Sequence, residues 1–386
     1  MKFDFGFLSS ITISEALSRG KNNFDLFRLL AALAVIYGHS YSIVPEIGKQ
    51  DVLHLLTGNY WSQLVAVNFF FFLSGLLVTN SLFEGKSVPK FLVTRFFRIW
   101  PGLALVVIVS ALVIGPLVTG LNFGSYFGNS NVLFYIKHQL LMETWNMRGL
   151  GYFDLPGVYE NNYYKNDVNV SLWTLVAEVF AYLFLAATFL CGLMKQRLAS
   201  VIMIIIMIDS LLPTRIIFPF LQGNEDYKYL PFCFAAGSFL ALNKQKIQIS
   251  IGVPIGFLAL CLLMHGTAFE QAFFYFTIFS STIFLSTRTI ILKLGLPLDV
   301  SYGVYLWGWP VQQILVHLFP SLSRTENLLL SMLLSVCMGI ISWVFVERSA
   351  IEFGKSVARR LSTLTQTIDT RVVDNTVVLK DVKETS

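Results

Sequence analysis

Ionisable side chains inside long apolar runs are the residues of this sequence best suited to chemistry. Arg28 and His39 share the apolar run 24–44, eleven positions apart. In a helix this spacing places both on one face, about 16 Å apart along the axis. Imidazole is the most common general base in enzymes, and guanidinium binds anions. Two structural alternatives stay open: a membrane-anchoring Arg28 whose head group reaches the interface, and a His39 bonded to a backbone carbonyl.

Arg95 and Arg98 form a second candidate pair, in the stretch Arg-Phe-Phe-Arg-Ile-Trp-Pro. A spacing of three places both guanidinium groups on the same helix face. Such a pair can bind phosphate groups through two parallel hydrogen bonds each. The alternative is the ordinary excess of basic residues on the inner side of a membrane.

Glu178 is a lone carboxylate inside the apolar run 170–193, about 12 Å from the outer end of that run. This depth is within about a turn of that expected for His39. An ionisable group is costly there and faces a cavity or a partner by default. The sequence therefore suggests that Glu178 orients or stabilises a catalytic base, with a purely structural role as the alternative.

The stretch 301–310, Ser-Tyr-Gly-Val-Tyr-Leu-Trp-Gly-Trp-Pro, places Tyr302 and Tyr305 on neighbouring turns of one face. Pro310 has no backbone N–H, so the carbonyl of Leu306 loses its helical partner and a kink is expected. Aromatic packing is the simpler interpretation of the two tyrosines.

Composition identifies the elements that must position these residues. Of 386 residues, 55% are hydrophobic and 13% charged, and the mean hydropathy is +0.65. Soluble domains carry about 25% charged residues, so the chain is expected to be an all-α polytopic integral membrane protein. The four cysteines stand singly in apolar runs, which predicts neither disulfides nor a metal site. Nothing in the sequence indicates nucleic-acid binding.

Runs of about 20 apolar residues, the length that spans a bilayer, predict about ten transmembrane helices. Their approximate bounds are 24–44, 61–83, 97–119, 170–193, 198–219, 228–242, 250–266, 270–287, 298–319 and 326–347. With both termini cytoplasmic, 21 of the 28 Lys and Arg residues fall on the inner side, as the positive-inside rule requires.

Three segments follow from these spans. Residues 1–23 form a cytoplasmic N-terminal segment without an export signal, residues 24–349 the transmembrane domain, and residues 350–386 a largely polar cytoplasmic tail. The large outer loop, 120–169, contains a candidate interfacial stretch near 132–142 and then many aromatic residues among Asn and Asp. This loop is either a membrane-surface belt or a lid that faces a sugar.

Four motifs, in this order, together resemble the acyltransferase 3 family, over roughly residues 22–349. They are Arg28-x10-His39, Arg95-x-x-Arg98, Ser171-Leu-Trp-x-Leu-x-x-Glu178 and Ser301-Tyr-x-x-Tyr-Leu-x-x-x-Pro310. Members of this family are bacterial membrane enzymes that acylate extracytoplasmic polysaccharides, peptidoglycan and some small molecules. The family commonly has a histidine two residues before the proline, where this sequence has Gly308. It also commonly has a proline where this sequence has Ser349.

The resemblance implies a role for each motif. His39 would be the catalytic residue, supported by Glu178. Acyl-CoA, most simply acetyl-CoA, would be the acyl donor, and its binding residues would be Arg28, Arg95, Arg98, Tyr302 and Tyr305. Ser171 and Trp173 are assigned to binding the acceptor, and no metal is implied.

The expected function is therefore O-acyl transfer, most simply O-acetyl transfer, across the inner membrane of a bacterium. The donor is cytoplasmic acyl-CoA and the acceptor a surface polysaccharide or lipid-linked glycan, such as O-antigen or exopolysaccharide, with membrane lipid as the solvent. Direct transfer with His39 as general base is favoured over a transient acyl group on Tyr305. The alternatives are a transporter or flippase for a glycan or lipid-linked sugar, and a structural subunit of polysaccharide assembly.

Overall fold

Nearly all secondary structure in the computed structural model is helical. The structure describes residues 9–143, 154–217, 227–296 and 298–361. Ten helices coincide in position with the ten predicted spans: α1 Phe24–Ile43, α2 Ser62–Gly85, α3 Val88–Val118, α4 Val170–Leu190, α5 Gln196–Leu211, α6 Leu230–Leu242, α7 Gly252–Leu263, α8 Glu270–Ser286, α9 Ser301–Leu318 and α10 Arg324–Leu361. The all-α membrane class is thus confirmed.

Five of these helices, α1 to α4 and α10, are long and apolar enough to cross a membrane. The other five are shorter or less apolar, so ten crossings and two cytoplasmic termini stay predictions. Short helices, named here by range, are Ile13–Ala16, Val52–Thr57, Phe123–Phe127, Ser130–Leu141 and Thr289–Lys293. The helix Ser130–Leu141 coincides with the interfacial stretch expected in the outer loop.

A two-stranded antiparallel sheet ties the N-terminal segment to the α6–α7 connection. Strand β1 (Ile11–Thr12) pairs with β2 (Gln248–Ile249), with Ile11 opposite Ile249. The side chain of Arg288 also donates to the backbone carbonyl of Ser9. The described part of the N-terminal segment is therefore fixed against the helical bundle.

Helices α2 and α6 pack at unusually close range because each presents a glycine to the other. A Cβ at Gly75 would lie 2.1 Å from the carbonyl oxygen of Phe234, and a Cβ at Gly237 would lie 2.1 Å from that of Phe72. Small residues let membrane helices approach closely, so dispersion contacts replace the hydrophobic effect that lipid does not supply. This contact holds α2, which forms one wall of the central cavity.

Two helices extend beyond their predicted ends. Helix α3 begins at Val88, nine positions before the predicted start of this span at 97, because Ser87 caps its N-terminus and Pro89 fits its first turn. Helix α10 continues to Leu361, past residue 349, where the sequence places the end of the transmembrane domain. Residues 362–386 of the predicted tail lie outside the described part of the chain.

Helix α9 stays helical through Pro310. The carbonyl of Leu306, predicted to lose its helical partner, accepts a hydrogen bond from the Asn169 side chain at 2.9 Å. At Gly308 the helix lies against α1, since a Cβ there would be 2.7 Å from Cγ1 of Ile36. The position at which the family commonly has a histidine is thus closed by a helix contact in this chain.

Candidate active site

A cavity of about 770 Å³ lies among α1, α2, α3, α4, α9 and α10. Along α2 its wall extends from Gly85 to Val67, which is 18 residues or about 27 Å of helix. At the α2 C-terminal end the lining residues Glu84, Lys90 and Lys355 are exposed. The cavity therefore runs from one surface of the bundle through most of the thickness of a bilayer core.

Arg28 and Arg98 line this cavity and share one carboxylate. Nη1 of Arg28 lies 3.4 Å from Oδ1 of Asp299, and Nη2 of Arg98 lies 2.7 Å from Oδ2 of the same residue. Asp25 adds a longer contact to Arg28, at 3.6 Å. Two of the three predicted donor-binding arginines are thus brought together, although they lie on different helices.

Asp299 was missed by the sequence analysis. It is a carboxylate in the predicted span 298–319 and stands two positions before Ser301. The same signal, an acidic residue in an apolar run, had drawn attention to Glu178. Asp299 lies just before the motif that begins at Ser301 and is not part of it.

Arg95 also lines the cavity, on the same face of α3 as Arg98. Within the described ranges it forms no ion pair, and its Nε is buried without a hydrogen-bond partner. Arg98 is held by Asp299 and lies 6.0 Å from the ring centroids of Tyr302 and Trp343. Arg95 is therefore the guanidinium group of this pair that can accept an anionic ligand.

Glu347 is a second acidic residue near Arg98, and it too was not predicted as a site residue. It closes the widened turn Trp343–Glu347 of α10 and is 1% exposed. Its Oε1 accepts from the Ser342 hydroxyl at 2.6 Å, while Oε2 is buried with no hydrogen-bond partner. An unsatisfied buried carboxylate oxygen costs free energy. Electrostatic attraction between Glu347 and the nearby Arg98 offsets part of this cost.

Glu178 faces the cavity and binds two other lining residues. The Tyr182 hydroxyl, one turn further along α4, donates to its Oε1, and the Ser74 hydroxyl does so at 3.5 Å. The carboxylate is thus brought to Tyr182 and Ser74, with no contact to His39 in the described structure. Its place in the wall is compatible with an electrostatic role towards a ligand in the cavity.

Tyr302 and Tyr305 both line the cavity, and both hydroxyl groups are engaged. The Tyr302 hydroxyl donates to the carbonyl of Ile99 at 2.7 Å. The Tyr305 hydroxyl donates to the carbonyl of Ser171 and pairs with the Thr174 hydroxyl, each at 2.7 Å. These bonds attach α9 to α3 and to the start of α4.

Ser171 and Trp173 do not line the cavity. Ser171 takes part in this junction through its carbonyl. The Ser171 hydroxyl is buried without a hydrogen-bond partner, and the Trp173 ring packs edge-to-face on Tyr227 at 4.6 Å. Of the residues between Ser171 and Leu175, Thr174 and Leu175 reach the cavity.

His39 does not line the cavity. It is 9% exposed, and its Nδ1 is buried without a hydrogen-bond partner. Its ring packs edge-to-face on Trp309 at 4.9 Å. Trp309 follows the cavity-lining Tyr305 by one turn of α9, about 6 Å along the helix axis. The imidazole is therefore close to the cavity, but no continuous Arg28–His39 stripe lines it.

The outer segment after residue 153 is bonded to α9 above His39. Trp309 and Gln313 donate to the carbonyl of Asp167 at 3.0 and 3.1 Å, and Asn162 donates to Oε1 of Gln313 at 2.9 Å. The Tyr164 ring packs on Trp309 at 4.9 Å. Burial and the nearby Asp154 raise the pKa of Asp167 to about 7. Residues 162–167 of the predicted outer loop are thus hydrogen-bonded to α9, while Trp145, Tyr152 and Phe153 lie outside the described residues.

Together these features define a helical membrane protein with a deep cationic cavity and a buried histidine that packs on α9, one of the helices that line this cavity. The family model described as an acyltransferase domain matches residues 21–347. The chain therefore belongs to the acyltransferase 3 family, as its motifs indicated.

Two curated relatives match almost end to end. A protein of Shigella phage Sf6 named O-acetyl transferase is 24% identical over 342 residues, covering 85% of this chain and 95% of its own length. Nodulation protein 10 of Rhizobium leguminosarum bv. viciae is 27% identical over 387 residues, covering 90% and 98%. No solved structure matches significantly.

Proposed function

We propose that this protein is an O-acetyltransferase of the bacterial inner membrane that uses cytoplasmic acetyl-CoA and acetylates a hydroxyl of an extracytoplasmic polysaccharide. The observation that carries the proposal is the cavity, which joins exposed lysines at one surface to the neighbourhood of His39. Donor and acceptor are in different compartments, so the thioester has to cross most of the membrane within the protein. The phage relative is named O-acetyl transferase, which supports this reaction type.

The donor enters with its phosphates at the basic end. Arg95 forms no ion pair with any residue that the structure describes, while Arg28 and Arg98 are held in place by Asp299. Charge-assisted hydrogen bonds to phosphate are about twice as strong as neutral ones. The pantetheine arm then lies along α2, α3 and α4, which form most of the wall. From α1, Arg28 lines the cavity and His39 does not, so the arm does not follow the face that these two residues share.

Chemistry takes place where the arm ends, next to Tyr305 and His39. A sugar hydroxyl enters from the outer side, and His39 takes its proton as the oxygen attacks the thioester carbonyl. The new ester C–O bond forms, the C–S bond breaks, and the histidine returns the proton to the CoA sulfur. Such general-base assistance contributes about 10²–10⁴-fold. Glu178 contributes its negative charge from the cavity wall and stabilises the protonated imidazole at a distance.

The acceptor is a polysaccharide such as O-antigen or exopolysaccharide, or its lipid-linked precursor. Aromatic and amide side chains suited to sugar binding occur in the outer segment, among them Tyr163, which is 70% exposed. A transporter of lipid-linked sugar, the rival function, is less well supported, since both the family and the name of the phage relative indicate group transfer.

The experiment is to replace His39 by Ala and measure the O-acetyl content of surface polysaccharide in cells that express equal amounts of each variant. We expect a fall of at least 100-fold, with acetyl-CoA binding to the purified protein retained. His265→Ala is the matched control, because this side chain is 75% exposed and lies in the α7–α8 connection. Unchanged O-acetyl content in His39→Ala cells would contradict the catalytic assignment.

A further inference from the structure

The exposed end of the cavity is built partly by residues beyond the family match. Ile351 and Lys355 of α10 line it, and both follow residue 347, where the match ends. They are one turn apart and so lie on the same helix face. The α10 extension is thus a wall of the cavity in this chain.

This wall is fixed against α3 by close packing. A Cβ at Gly354 would lie 2.6 Å from Cβ of Phe97, and the Phe353 ring meets the Phe97 ring edge-to-face at 5.4 Å. Ala358, one turn after Gly354, is completely buried. The extension therefore holds Lys355 at a defined place relative to α3.

Two lysines line this mouth without acidic partners among the described residues. Lys90 of α3 and Lys355 of α10 both line it and are exposed, and neither forms an ion pair in the described ranges. Glu84 is the acidic residue at the mouth, and Lys244 binds its carboxylate. Arg95 lies on α3 five residues beyond Lys90, about 7.5 Å deeper along the axis. The cavity thus presents cations at two depths.

CoA carries phosphate at two places: a diphosphate that joins the pantetheine arm to the adenosine, and a separate 3′-phosphate on the ribose. We propose that Lys90 and Lys355 at the mouth bind the ribose 3′-phosphate, while Arg95 faces the diphosphate. The α10 extension then gives this enzyme a preference for CoA thioesters over other pantetheine thioesters. This inference rests on the proposed use of acyl-CoA. Anionic lipid head groups offer the same phosphate chemistry to exposed lysines, so the test separates the two sources.

The test compares CoA with 3′-dephospho-CoA. Binding of each to full-length protein in nanodiscs of zwitterionic lipid is measured by calorimetry for wild type, Lys355→Gln, Lys355→Arg and Arg360→Gln. We expect Lys355→Gln to lose about fivefold in affinity for CoA, as an exposed charge pair of about 1 kcal/mol would give, and to be almost unchanged for 3′-dephospho-CoA. Lys355→Arg should retain the preference. Arg360 is exposed on the same extension and does not line the cavity, so its variant should match wild type.

Each outcome has one meaning. An equal CoA preference in wild type and Lys355→Gln would overturn the phosphate site, even though CoA still binds. Wild type that binds neither compound would contradict the proposed donor itself. A third outcome would assign the lysines to lipid head groups and also overturn the proposal. In it, Lys355→Gln has the wild-type preference for CoA over 3′-dephospho-CoA in zwitterionic lipid, and every protein loses this preference when anionic lipid is added.

Discussion

Asp299 is the residue on which the donor site depends most, because one carboxylate holds the guanidinium groups of two helices. Removing it leaves two positive charges facing each other in a half-buried site. Its partners Arg28 and Arg98 have side chains only 22% and 16% exposed, so little water is there to replace it.

We therefore predict that Asp299→Asn lowers the free energy of unfolding by about 2 kcal/mol, below the 3–5 kcal/mol of a fully buried pair. Asp25→Asn is the control. In the described ranges Asp25 forms an ion pair with Arg28, at 3.6 Å, and with no other residue, and its side chain is 56% exposed, so its removal should cost less than about 1 kcal/mol. Thermal melts of the purified variants in one detergent measure both. Equal effects would show that Asp299 has no special role.

A substitution of Tyr305 can distinguish direct transfer from a covalent relay, in which the tyrosine carries the acetyl group transiently. Its hydroxyl donates to the Ser171 carbonyl and is paired with the Thr174 hydroxyl, and an oxygen held in this way is a poor nucleophile. We predict that Tyr305→Phe reduces acetyl transfer by about tenfold or less, because the two lost hydrogen bonds attach α9 to the start of α4 and neither involves the reacting groups. Single-turnover transfer from labelled acetyl-CoA measures this. A loss as large as that of His39→Ala would instead favour an acyl-tyrosine intermediate.

At the scale of elements, the contact between α2 and α6 sets the shape of the cavity. The two helices meet where Gly75 and Gly237 each face a backbone carbonyl of the other helix. A backbone oxygen cannot move aside as the end of a flexible side chain can, so any added carbon forces the helices apart.

We predict that Gly75→Ala sharply reduces the yield of folded protein and the affinity for acetyl-CoA. Gly256→Ala, in the middle of α7, has nothing within 4 Å of the added carbon and should be neutral or slightly stabilising, because alanine favours helix by about 1 kcal/mol. Size-exclusion profiles and melting temperatures compare the two. Normal folding of Gly75→Ala would mean that this contact is looser than the structure has it.

The positions of the helices could largely be predicted from hydropathy. Apolar length located most of the helices to within a few residues, because a bilayer imposes it, although α5 ends at Leu211 and not near the predicted 219. The early start of α3 and the late end of α10 were not predicted. They depend on the Ser87 cap and on packing of Phe353 and Gly354 against Phe97, which hydropathy does not record.

At the scale of the whole molecule, the cavity connects residues that are distant in the sequence. The spacing of Arg95 and Arg98 predicts that they share one face of a helix, and both do line the cavity. Pairings between helices were beyond such reasoning. Asp299 binds Arg28 and Arg98, and Glu178 binds Tyr182 and Ser74 in place of the expected His39. The sequence predicts how deep each side chain lies in the membrane, but it does not predict which neighbouring helix that side chain faces.

The central claim is that the acetyl group passes through the protein from the cytoplasmic side to an acceptor outside. The most direct measurement supplies radiolabelled acetyl-CoA, which does not cross lipid, to sealed membrane vesicles of known orientation. We predict that inside-out vesicles with wild-type protein label their polysaccharide and that right-side-out vesicles do not, with His39→Ala inactive in both. Equal labelling in both orientations, or none in inside-out vesicles that contain acceptor, would contradict the account.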